Sequence, residues 1–483
     1  MNFRMIFKSI GAVLFIEAAC MIPSLMVSLI YGQPDSSAFL LTMLILLLVG
    51  FVLRCIKPVT TDIYTRDGFA IVSFGWIFVS LFGALPFIFS GAIPSFIDAF
   101  FESVSGFTTT GSSILNQVEN LPRGILFWRS FTHWIGGMGV LVLTLAILPS
   151  AKATGFQIMK AESPGPSPEK LVPKIGQTAK ILYTIYIVMT AAQVFLLLIA
   201  KMPLYDALIH TFGTAGTGGF SNRNTSVGAY ENVYIEVIIT VFMFLFGINF
   251  TLYYQSLKGN LRSVLRDDEF RFYLGTVLAS IVLITLDLYG QAFETVGESL
   301  RHASFQVSTI ITTTGYSTTD FNLWPMFSKS ILVLLMFIGA SAGSTGGGIK
   351  CIRIVVLLKI IRREISKVIH PRSVYSVKIG GKAVDEERMS GISTYFFVYI
   401  TIFVVSLLVV SLDNMDPVST FTSVAATIGN IGPGLELVGP YGNFADFSAL
   451  SKAVFSFCMI VGRLEIFPVL LLFAPTFWKR VNI

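Results

Sequence analysis

Charged side chains are scarce in this sequence of 483 residues, since Asp, Glu, Lys and Arg together make up 13% of it. Soluble globular domains carry about 25%. Disordered chains and nucleic-acid-binding surfaces depend on charge still more. The scarcity therefore excludes an intrinsically disordered protein, a protein that binds nucleic acid through a solvated basic face, and an ordinary cytosolic enzyme.

Cysteine and histidine are also few, with four of each. The cysteines lie within or at the ends of apolar stretches without C-x-x-C spacing, so we interpret them as small buried hydrophobic residues. The histidines have no metal-ligand spacing, and the zinc-protease motif H-E-x-x-H does not occur. We therefore expect neither an enzyme nor a cofactor in this chain.

Apolar residues dominate instead: they make up 54% of the sequence, and its mean hydropathy is +0.75. A helix needs about 20 predominantly apolar residues to cross a bilayer, and the sequence predicts ten such spans. They are residues 8–30, 38–56, 68–91, 125–149, 180–200, 233–256, 272–289, 329–361, 392–412 and 450–475. The predicted fold class is therefore an all-α polytopic membrane protein.

The positions of Lys and Arg predict the orientation of the chain. With Met1 in the cytoplasm, 26 of the 34 basic residues lie on the cytoplasmic face, seven lie outside, and Arg463 lies within a span. Because basic residues collect on the cytoplasmic side of membrane proteins, we interpret the net charge of +6 as topological. The basic segment 359–388 is interpreted either as a membrane-surface anchor or as a docking site for a partner.

A short motif rich in Thr and Gly recurs four times, each time between two predicted spans on the outside face. The four stretches are Thr108–Ser113 (TTTGSS), Gly216–Ser221 (GTGGFS), Thr312–Ser317 (TTTGYS) and Gly429–Gly434 (GNIGPG). Their aligned glycines are 108, 96 and 117 residues apart. The period predicts four pseudo-symmetric repeats of span, pore helix, filter loop and span around one pore. With two extra N-terminal spans, the predicted division is 1–60, 61–150, 151–260, 261–370 and 371–483.

An ordinary turn between helices would explain one such loop, but four equivalent loops can surround one axis. Irregular backbone at membrane depth is tolerated where protein buries it or where it lines a watery cavity. Rings of backbone carbonyls can replace the hydration shell of a monovalent cation, and glycine permits the angles that turn carbonyls inward. The predicted filter residues are Thr109, Thr110, Gly111, Thr217, Gly218, Gly219, Thr313, Thr314, Gly315, Asn430, Ile431 and Gly432.

Acidic residues near the outer ends of the spans favour cation entry, because a mouth of one sign concentrates counter-ions. The alternative is that external loops simply need some charge. These residues are Asp98, Glu102, Glu119, Asp206, Glu231, Glu294, Glu298, Asp320, Asp416 and Glu436.

The four loops, together with Trp134–Gly139 (WIGGMG) and Gly339–Lys350 (GASAGSTGGGIK), resemble the Trk/Ktr/HKT superfamily of potassium transporters. The resemblance covers residues 68–475, and the two extra N-terminal spans are similar to the Trk-type membrane subunit. It implies potassium uptake through one pore per chain in the bacterial inner membrane. It also implies a homodimer and a cytoplasmic ring of nucleotide-binding TrkA-type subunits.

The small residues of Gly339–Gly348 interrupt one predicted span. Such a run breaks a helix, and the resemblance implies that it forms a gate beneath the filter; close helix packing is the alternative. The candidate gate residues are Gly343, Gly346, Gly347, Gly348, Lys350 and Arg463. Lys350 is interpreted either as a gating residue or as a charge at a helix end.

Arg463 stands in an apolar span, where a charge is costly and marks a functional candidate. We expect it to act as a positive barrier below the filter, with a structural pair to an acidic residue as the alternative. The leading function is a gated potassium conduit, and the alternative within transport is a symporter coupled to protons or sodium. A polytopic membrane enzyme would need His, Asp, Ser or Cys clustered at membrane depth. An organic-solute carrier would have inverted repeats, whereas these four repeats share one orientation.

Overall fold

The computed structural model describes residues 1–58, 64–139, 175–371 and 375–478. Most of them form helices, and the described strands are one antiparallel pair, β1 (Lys378–Ile379) and β2 (Lys382–Ala383). The all-α prediction is therefore confirmed. The second half of the predicted span 125–149 lies outside the described residues.

Within the described residues, six helices are long and apolar enough to cross a membrane, or seven if one bent pair counts as a span. Their outer faces expose large apolar side chains, such as those of Phe51 and Leu286. A soluble protein rarely exposes such wide apolar surfaces. The chain is therefore a multi-pass membrane protein.

The first three helices form a separate hairpin at the N-terminus: α1 (Phe3–Cys20), α2 (Ile22–Ile30) and α3 (Ser36–Cys55). Two glycines let α1 and α3 approach closely. A Cβ placed on Gly11 would lie 2.8 Å from the carbonyl oxygen of Gly50, and one on Gly50 would lie 3.1 Å from that of Gly11. Small residues at such a crossing are typical of membrane helix pairs.

The remaining helices repeat one pattern four times: a long first helix, a short helix, a loop and a second helix. The first helices are α4 (Thr65–Gly83, continued by α5, Leu85–Phe89), α8 (Ile175–Ile199), α13 (Asp268–Leu288) and α17 (Glu386–Val410). The short helices are α6 (Phe96–Phe107), α9 (Leu204–Gly216), α14 (Val296–Ile311) and α18 (Pro417–Ile428). The second helices are α7 (Arg123–Gly137), α10 (Val233–Phe246), α15 (Met326–Ile338) and α19 (Ala449–Arg463).

Local sequence explains where the short helices begin. Side chains of Ser95, Thr295 and Asp416 accept a hydrogen bond from the backbone N–H three residues on, and Pro203 precedes α9. Ser, Thr and Asp are preferred N-caps because they satisfy N–H groups that have no partner inside the helix. Each short helix therefore has a start that its local sequence defines.

Each second helix stops at a comparable place after its loop. After α10 the chain bends by 92° into α11 (Phe250–Leu257). After α15 it runs through Gly339–Lys350 into α16 (Cys351–Ile369), and after α19 it breaks before α20 (Phe467–Phe473). The predicted interruption of span 329–361 is present, and the predicted spans 233–256 and 450–475 also contain a helix break, which hydropathy did not predict.

These breaks have local causes. Glu465 and Ile466 adopt left-handed backbone with φ of 61° and 68°, a conformation that ends a helix. At the α10–α11 bend, Asn249 caps the new helix by accepting from Thr251 N–H at 2.9 Å. The short helices α12 (Leu261–Arg266) and α21 (Pro475–Trp478) complete the described fold.

Asp35 joins the N-terminal hairpin to the first repeat. Its buried carboxylate accepts from the hydroxyl of Ser28 at 2.5 Å and from the backbone N–H of Ile125 at 3.1 Å. Because Ile125 lies in the first turn of α7, this carboxylate serves as an external cap for that helix.

We expect Asp35→Ala to lower the free energy of unfolding by about 1–3 kcal/mol, because it leaves the N–H of Ile125 buried without an acceptor. Thermal unfolding of the purified protein in detergent measures the effect. Ser37→Ala is the control, since it removes an exposed hydrogen bond in the same turn. Equal melting temperatures for the two variants would contradict the capping role.

Candidate functional site: a closed ring of four loops

The four loops that follow the short helices meet each other and form a ring. We call them L1 (108–113), L2 (216–221), L3 (312–317) and L4 (429–434), and their ring glycines are Gly111, Gly219, Gly315 and Gly432. Each ring glycine packs against the next loop. A Cβ placed on it would meet a carbonyl oxygen of that loop, and this carbonyl belongs to the residue just before that loop's own ring glycine. The four contacts are Gly111 with Gly218, Gly219 with Thr314, Gly315 with Ile431, and Gly432 with Thr110. Since the last contact returns to L1, the ring is closed.

Every short helix ends in the same way before it enters the ring. The N–H of the residue before the ring glycine donates to the carbonyl five residues earlier. These bonds join Thr110 to Ser105 (2.9 Å), Gly218 to Gly213 (2.8 Å), Thr314 to Thr309 (2.8 Å) and Ile431 to Ala426 (2.8 Å). This is the Schellman ending, which satisfies carbonyls that a helix C-terminus leaves without partners.

The Schellman ending places one residue in left-handed backbone, two positions before each ring glycine. It is Thr109 (φ 56°), Thr217 (58°), Thr313 (59°) and Asn430 (54°). Glycine is usual at this position, and a β-branched threonine there is strained. Strain of this kind persists where surrounding structure enforces it and clusters at functional sites. The left-handed conformation occurs in all four loops and falls on a threonine in three of them, which marks the ring as the candidate site.

The fourth loop preserves the geometry with different side chains. The amide nitrogen of Asn430 donates to the hydroxyl of Thr110 at 2.9 Å and to the carbonyl of Met459 at 2.9 Å. Ser112 adds a second link between L1 and L4, because its hydroxyl donates to the carbonyl of Gly432 at 3.1 Å. The ring therefore keeps one backbone shape although its side chains differ.

All four ring glycines line a single open pocket on one side of the ring. Among the described residues that line it, none is acidic, and the charged ones are Arg129 and Arg223. Several acids expected at the mouth have partners instead: Asp98 pairs with Lys452 at 2.7 Å and Glu102 with Arg129 at 2.5 Å. The pocket is lined largely by backbone and neutral side chains, which favours the interpretation that the external acids are ordinary loop charge.

The glycine-rich segment Gly339–Lys350 lies directly against L3 and L4. The N–H of Gly347 donates to the hydroxyl of Thr313 at 2.6 Å, and that of Gly348 donates to the carbonyl of Gly429 at 2.9 Å. A Cβ on Gly346 would lie 3.0 Å from the carbonyl oxygen of Thr312. These three glycines are buried at the ring.

Gly343, in contrast, is exposed in the middle of this segment, where its carbonyl accepts from the N–H of Phe250 at 3.0 Å. Lys350 is 3% exposed and donates to the carbonyl of Gly346. Lys350 is also the residue immediately before α16, so it is a charge at a helix end that bonds within the glycine-rich segment.

Arg463 connects the glycine-rich segment to the first repeat. It donates to the carbonyls of Gly136 at 2.5 Å and Gly137 at 2.6 Å, at the end of α7, and to that of Thr345 at 2.8 Å. Two of these carbonyls lie at the C-terminal end of α7, and the third lies within the glycine-rich segment. Its cationic group thus lies between two chain breaks beneath the ring.

Comparison with known proteins identifies the family. The model of the TrkH family, described as cation transport protein, matches residues 35–480.

The chain belongs to the TrkH family.

TrkH from Salmonella typhimurium, a "Trk system potassium uptake protein", is 40% identical over 485 residues, which cover 99% of this chain and 100% of that protein. TrkG of Escherichia coli, another Trk system potassium uptake protein, is 34% identical and covers 99% of both. The crystal structure of the potassium transporter TrkH from Vibrio parahaemolyticus superposes with a TM-score of 0.90 at 35% identity, covering 99% of this chain and 100% of that one.

One functional residue of this TrkH-family chain escapes sequence reasoning. Glu269, in the first turn of α13, accepts from Ala342 N–H at 2.6 Å and from Ile352 N–H at 3.0 Å through one carboxylate oxygen. These two residues flank the buried part of the glycine-rich segment. Glu269 therefore ties the chain to α13 on both sides of the buried stretch 344–351, although its position at a span boundary gave no signal.

A second missed feature is the ion pair between Arg353 and Glu465. It joins α16 to the break after α19, and the guanidinium of Arg353 lies 3.8 Å from the ring centre of Tyr395. Glu465 stands only two residues from Arg463, and its sequence neighbourhood does not indicate this partner.

The same segment also contains a sequence match to a hydrolase motif. Gly339, Ser341 and Gly343 fit G-x-S-x-G, which carries a nucleophilic serine when it follows a strand and is paired with a histidine base. Here the segment follows a helix, and the buried hydroxyl of Ser341 has no hydrogen-bond partner among the described residues. The match does not form a nucleophile site.

We expect Arg463→Ala to free the glycine-rich segment, because three hydrogen bonds from a charged donor disappear. Amide hydrogen exchange in residues 339–351 should accelerate about tenfold or more, since 1.4 kcal/mol corresponds to a factor of ten. Lys452→Ala is the matched control, because it removes an ion pair at the other end of α19. Equal exchange in both variants would show that Arg463 does not hold the segment.

Proposed function

We propose that this chain takes up potassium through the centre of the ring. The observation that carries the proposal is the closed ring of four loops with one repeated, strained backbone shape. Backbone carbonyls in such a ring replace the hydration shell of a bare cation. The names of the relatives, potassium uptake proteins, indicate which cation.

The proposed ion-binding residues are the twelve predicted from the sequence, three in each loop. Four short helices end at the ring, and the negative end of each helix dipole favours a cation there. The variation at Asn430 and Ile431 supports coordination by carbonyls, because the backbone shape persists where the side chains change. We propose that each predicted repeat, 61–150, 151–260, 261–370 and 371–483, contributes one quarter of the ring.

We expect Gly315→Ser to lower the preference for potassium over sodium by about tenfold or more. Its φ is 85°, and a Cβ would meet the carbonyl oxygen of Ile431, so the ring must widen or distort. A loss of 1.4 kcal/mol in discrimination is a factor of ten. Flux into liposomes with potassium, rubidium and sodium measures it.

Gly290→Ser is the control for this variant. Gly290 has a similar φ of 77°, but a Cβ there would meet nothing within 4 Å. It therefore carries the same backbone strain without touching the ring. Unchanged selectivity in a folded Gly315→Ser protein would sink the proposed function.

We also propose that the glycine-rich segment is the gate. It packs against L3 and L4 and is tied to the first repeat by Arg463. Glu269 accepts from the N–H groups of Ala342 and Ile352, on either side of the segment's buried stretch. A segment in this position blocks the path of an ion that leaves the ring, and small residues let it move aside. In this scheme Lys350 and Arg463 place positive charge beneath the ring.

We expect deletion of Gly346–Gly348 to raise potassium flux in the absence of any partner protein, by about tenfold or more. Glu269→Ala should raise it in the same direction, because the two N–H groups lose their acceptor. Asp267→Ala is the control, since Asp267 caps the same helix but bonds to Phe270 and not to the segment. If the deletion leaves flux unchanged in folded protein, the segment is not the gate.

The surface formed by α16 and the β1–β2 hairpin supports a partner on the cytoplasmic side. Leu358, Ile361 and Ile365 are exposed along one stripe of α16, and Lys359 ties the helix to the hairpin and to Asp268. We propose that this face receives TrkA-type nucleotide-binding subunits and that the chain is a homodimer. We also propose that the N-terminus lies in the cytoplasm, as the distribution of Lys and Arg indicates. The bacterial inner membrane is proposed from the resemblance to Trk-type transporters.

Coupled symport is the second candidate, and one residue favours it. Both carboxylate oxygens of Glu17 are buried without a hydrogen-bond partner among the described residues, and an acid in a membrane span is a candidate proton site. Liposome flux with and without an imposed proton gradient separates the two. A conduit moves potassium only down its electrochemical gradient, whereas a proton symporter accumulates potassium against that gradient when a proton gradient is imposed and the potential is clamped.

A further inference from the structure

A buried ion pair lies behind the ring where L1 and L2 leave it. Arg129 comes from α7 and Glu102 from α6, and their side chains meet at 2.5 Å between Nε and Oε1. The residues are only 3% and 0% exposed. An isolated charge in such a place would be strongly disfavoured, so the two depend on each other.

Glu102 holds the exit of L1. Its carboxylate accepts from the hydroxyl of Ser113 at 2.9 Å and from the N–H of Ile114 at 3.0 Å. Ser113 is two residues beyond the ring glycine of L1. The carboxylate thus fixes the direction in which the chain leaves the ring.

Arg129 holds the exit of L2. Its guanidinium donates to the carbonyl of Ser221 at 3.1 Å and lies 3.5 Å from the ring centre of Phe220. Both residues directly follow the ring glycine of L2. One ion pair therefore joins two loops that belong to different repeats.

The other three repeats show that this pair is a departure from the common plan. Glu102 is nine residues before its ring glycine, and Ser113 is two residues after it. In the second repeat these positions are His210 and Ser221, whose Nε2 and Oγ lie 3.0 Å apart. In the third they are Gln306 and Ser317, whose side chains have no hydrogen-bond partner among the described residues. In the fourth they are Ser423 and Gly434. Only the L1–L2 junction carries charge at this position.

We propose that Arg129 and Glu102 are positioning residues that set the ring geometry at the L1–L2 junction and thereby its discrimination between potassium and sodium. This inference rests on the proposed function. Neither side chain binds the ion. Both act through the loop exits. Glu102 also neutralises the positive charge that Arg129 would otherwise present to the pocket that it lines.

The test uses Glu102→Gln, Arg129→Gln and the double variant in liposome flux, with two readouts. One is the potassium-to-sodium ratio, and the other is flux at low potassium. Positioning predicts that all three variants lower the ratio, by about tenfold or more. A purely electrostatic role predicts opposite changes of low-potassium flux in the two single variants with the ratio unchanged, and that result would overturn the proposal.

Ser113→Ala keeps the inference testable if the charge variants do not fold. It removes one bond at the exit of L1 and leaves the ion pair intact, and it should lower the ratio by a smaller factor. An unchanged ratio in Ser113→Ala, with the charge variants either unfolded or unchanged, overturns the proposal.

Lys452→Ala is the control, because it removes another ion pair of α6, the one with Asp98, which touches neither loop exit. The potassium-to-sodium ratio of this variant should equal that of the unaltered protein. A fall in the ratio as large as that of the Glu102 and Arg129 variants would overturn the proposal. Gly315→Ser separates the two levels of inference. If Gly315→Ser lowers the potassium-to-sodium ratio but the Glu102 and Arg129 variants leave it unchanged, only the positioning role is rejected. An unchanged ratio in Gly315→Ser removes the proposed function itself.

Discussion

The rest of this structure depends on the way four helices end side by side inside a membrane protein. A helix C-terminus leaves carbonyls without partners, and no water is available in the bilayer to take them. Each short helix satisfies these carbonyls with a left-handed residue at the same position and with the same pair of backbone hydrogen bonds. Because the solution is the same four times, the loops emerge at equivalent angles and can close on one another.

The same constraint explains what lies beneath the ring. The second helices break after their loops, and the breaks leave further carbonyls open. Arg463 donates to three carbonyls near these breaks, those of Gly136, Gly137 and Thr345. The glycine-rich segment donates its own N–H groups to L3 and L4. The positive side chains in the interior thus donate hydrogen bonds to backbone carbonyls, which is why they are tolerated at membrane depth.

The sequence reveals those parts of the site that are local or repeated. The loops around Gly111, Gly219 and Gly315 carry their Thr and Gly residues within a few positions, and their recurrence identifies even the divergent fourth loop. Partners that packing alone brings together leave no such signal. Glu269 lies 73 and 83 residues from the groups it holds, and Glu465 lies 112 from Arg353. The helix breaks near residues 247 and 465 were missed for the same reason, since hydropathy reports apolar content and not backbone direction.

The ring is assembled from one continuous chain, and this has a consequence for biosynthesis. The contacts that close it, from Ser112 to Gly432 and from Asn430 to Thr110, join residues 320 apart. Contacts of such high sequence separation form late, because the intervening chain must be ordered first. A ribosome that has made and inserted the first three repeats has therefore produced an open arc with strained loop ends. Only the fourth repeat turns that arc into a ring.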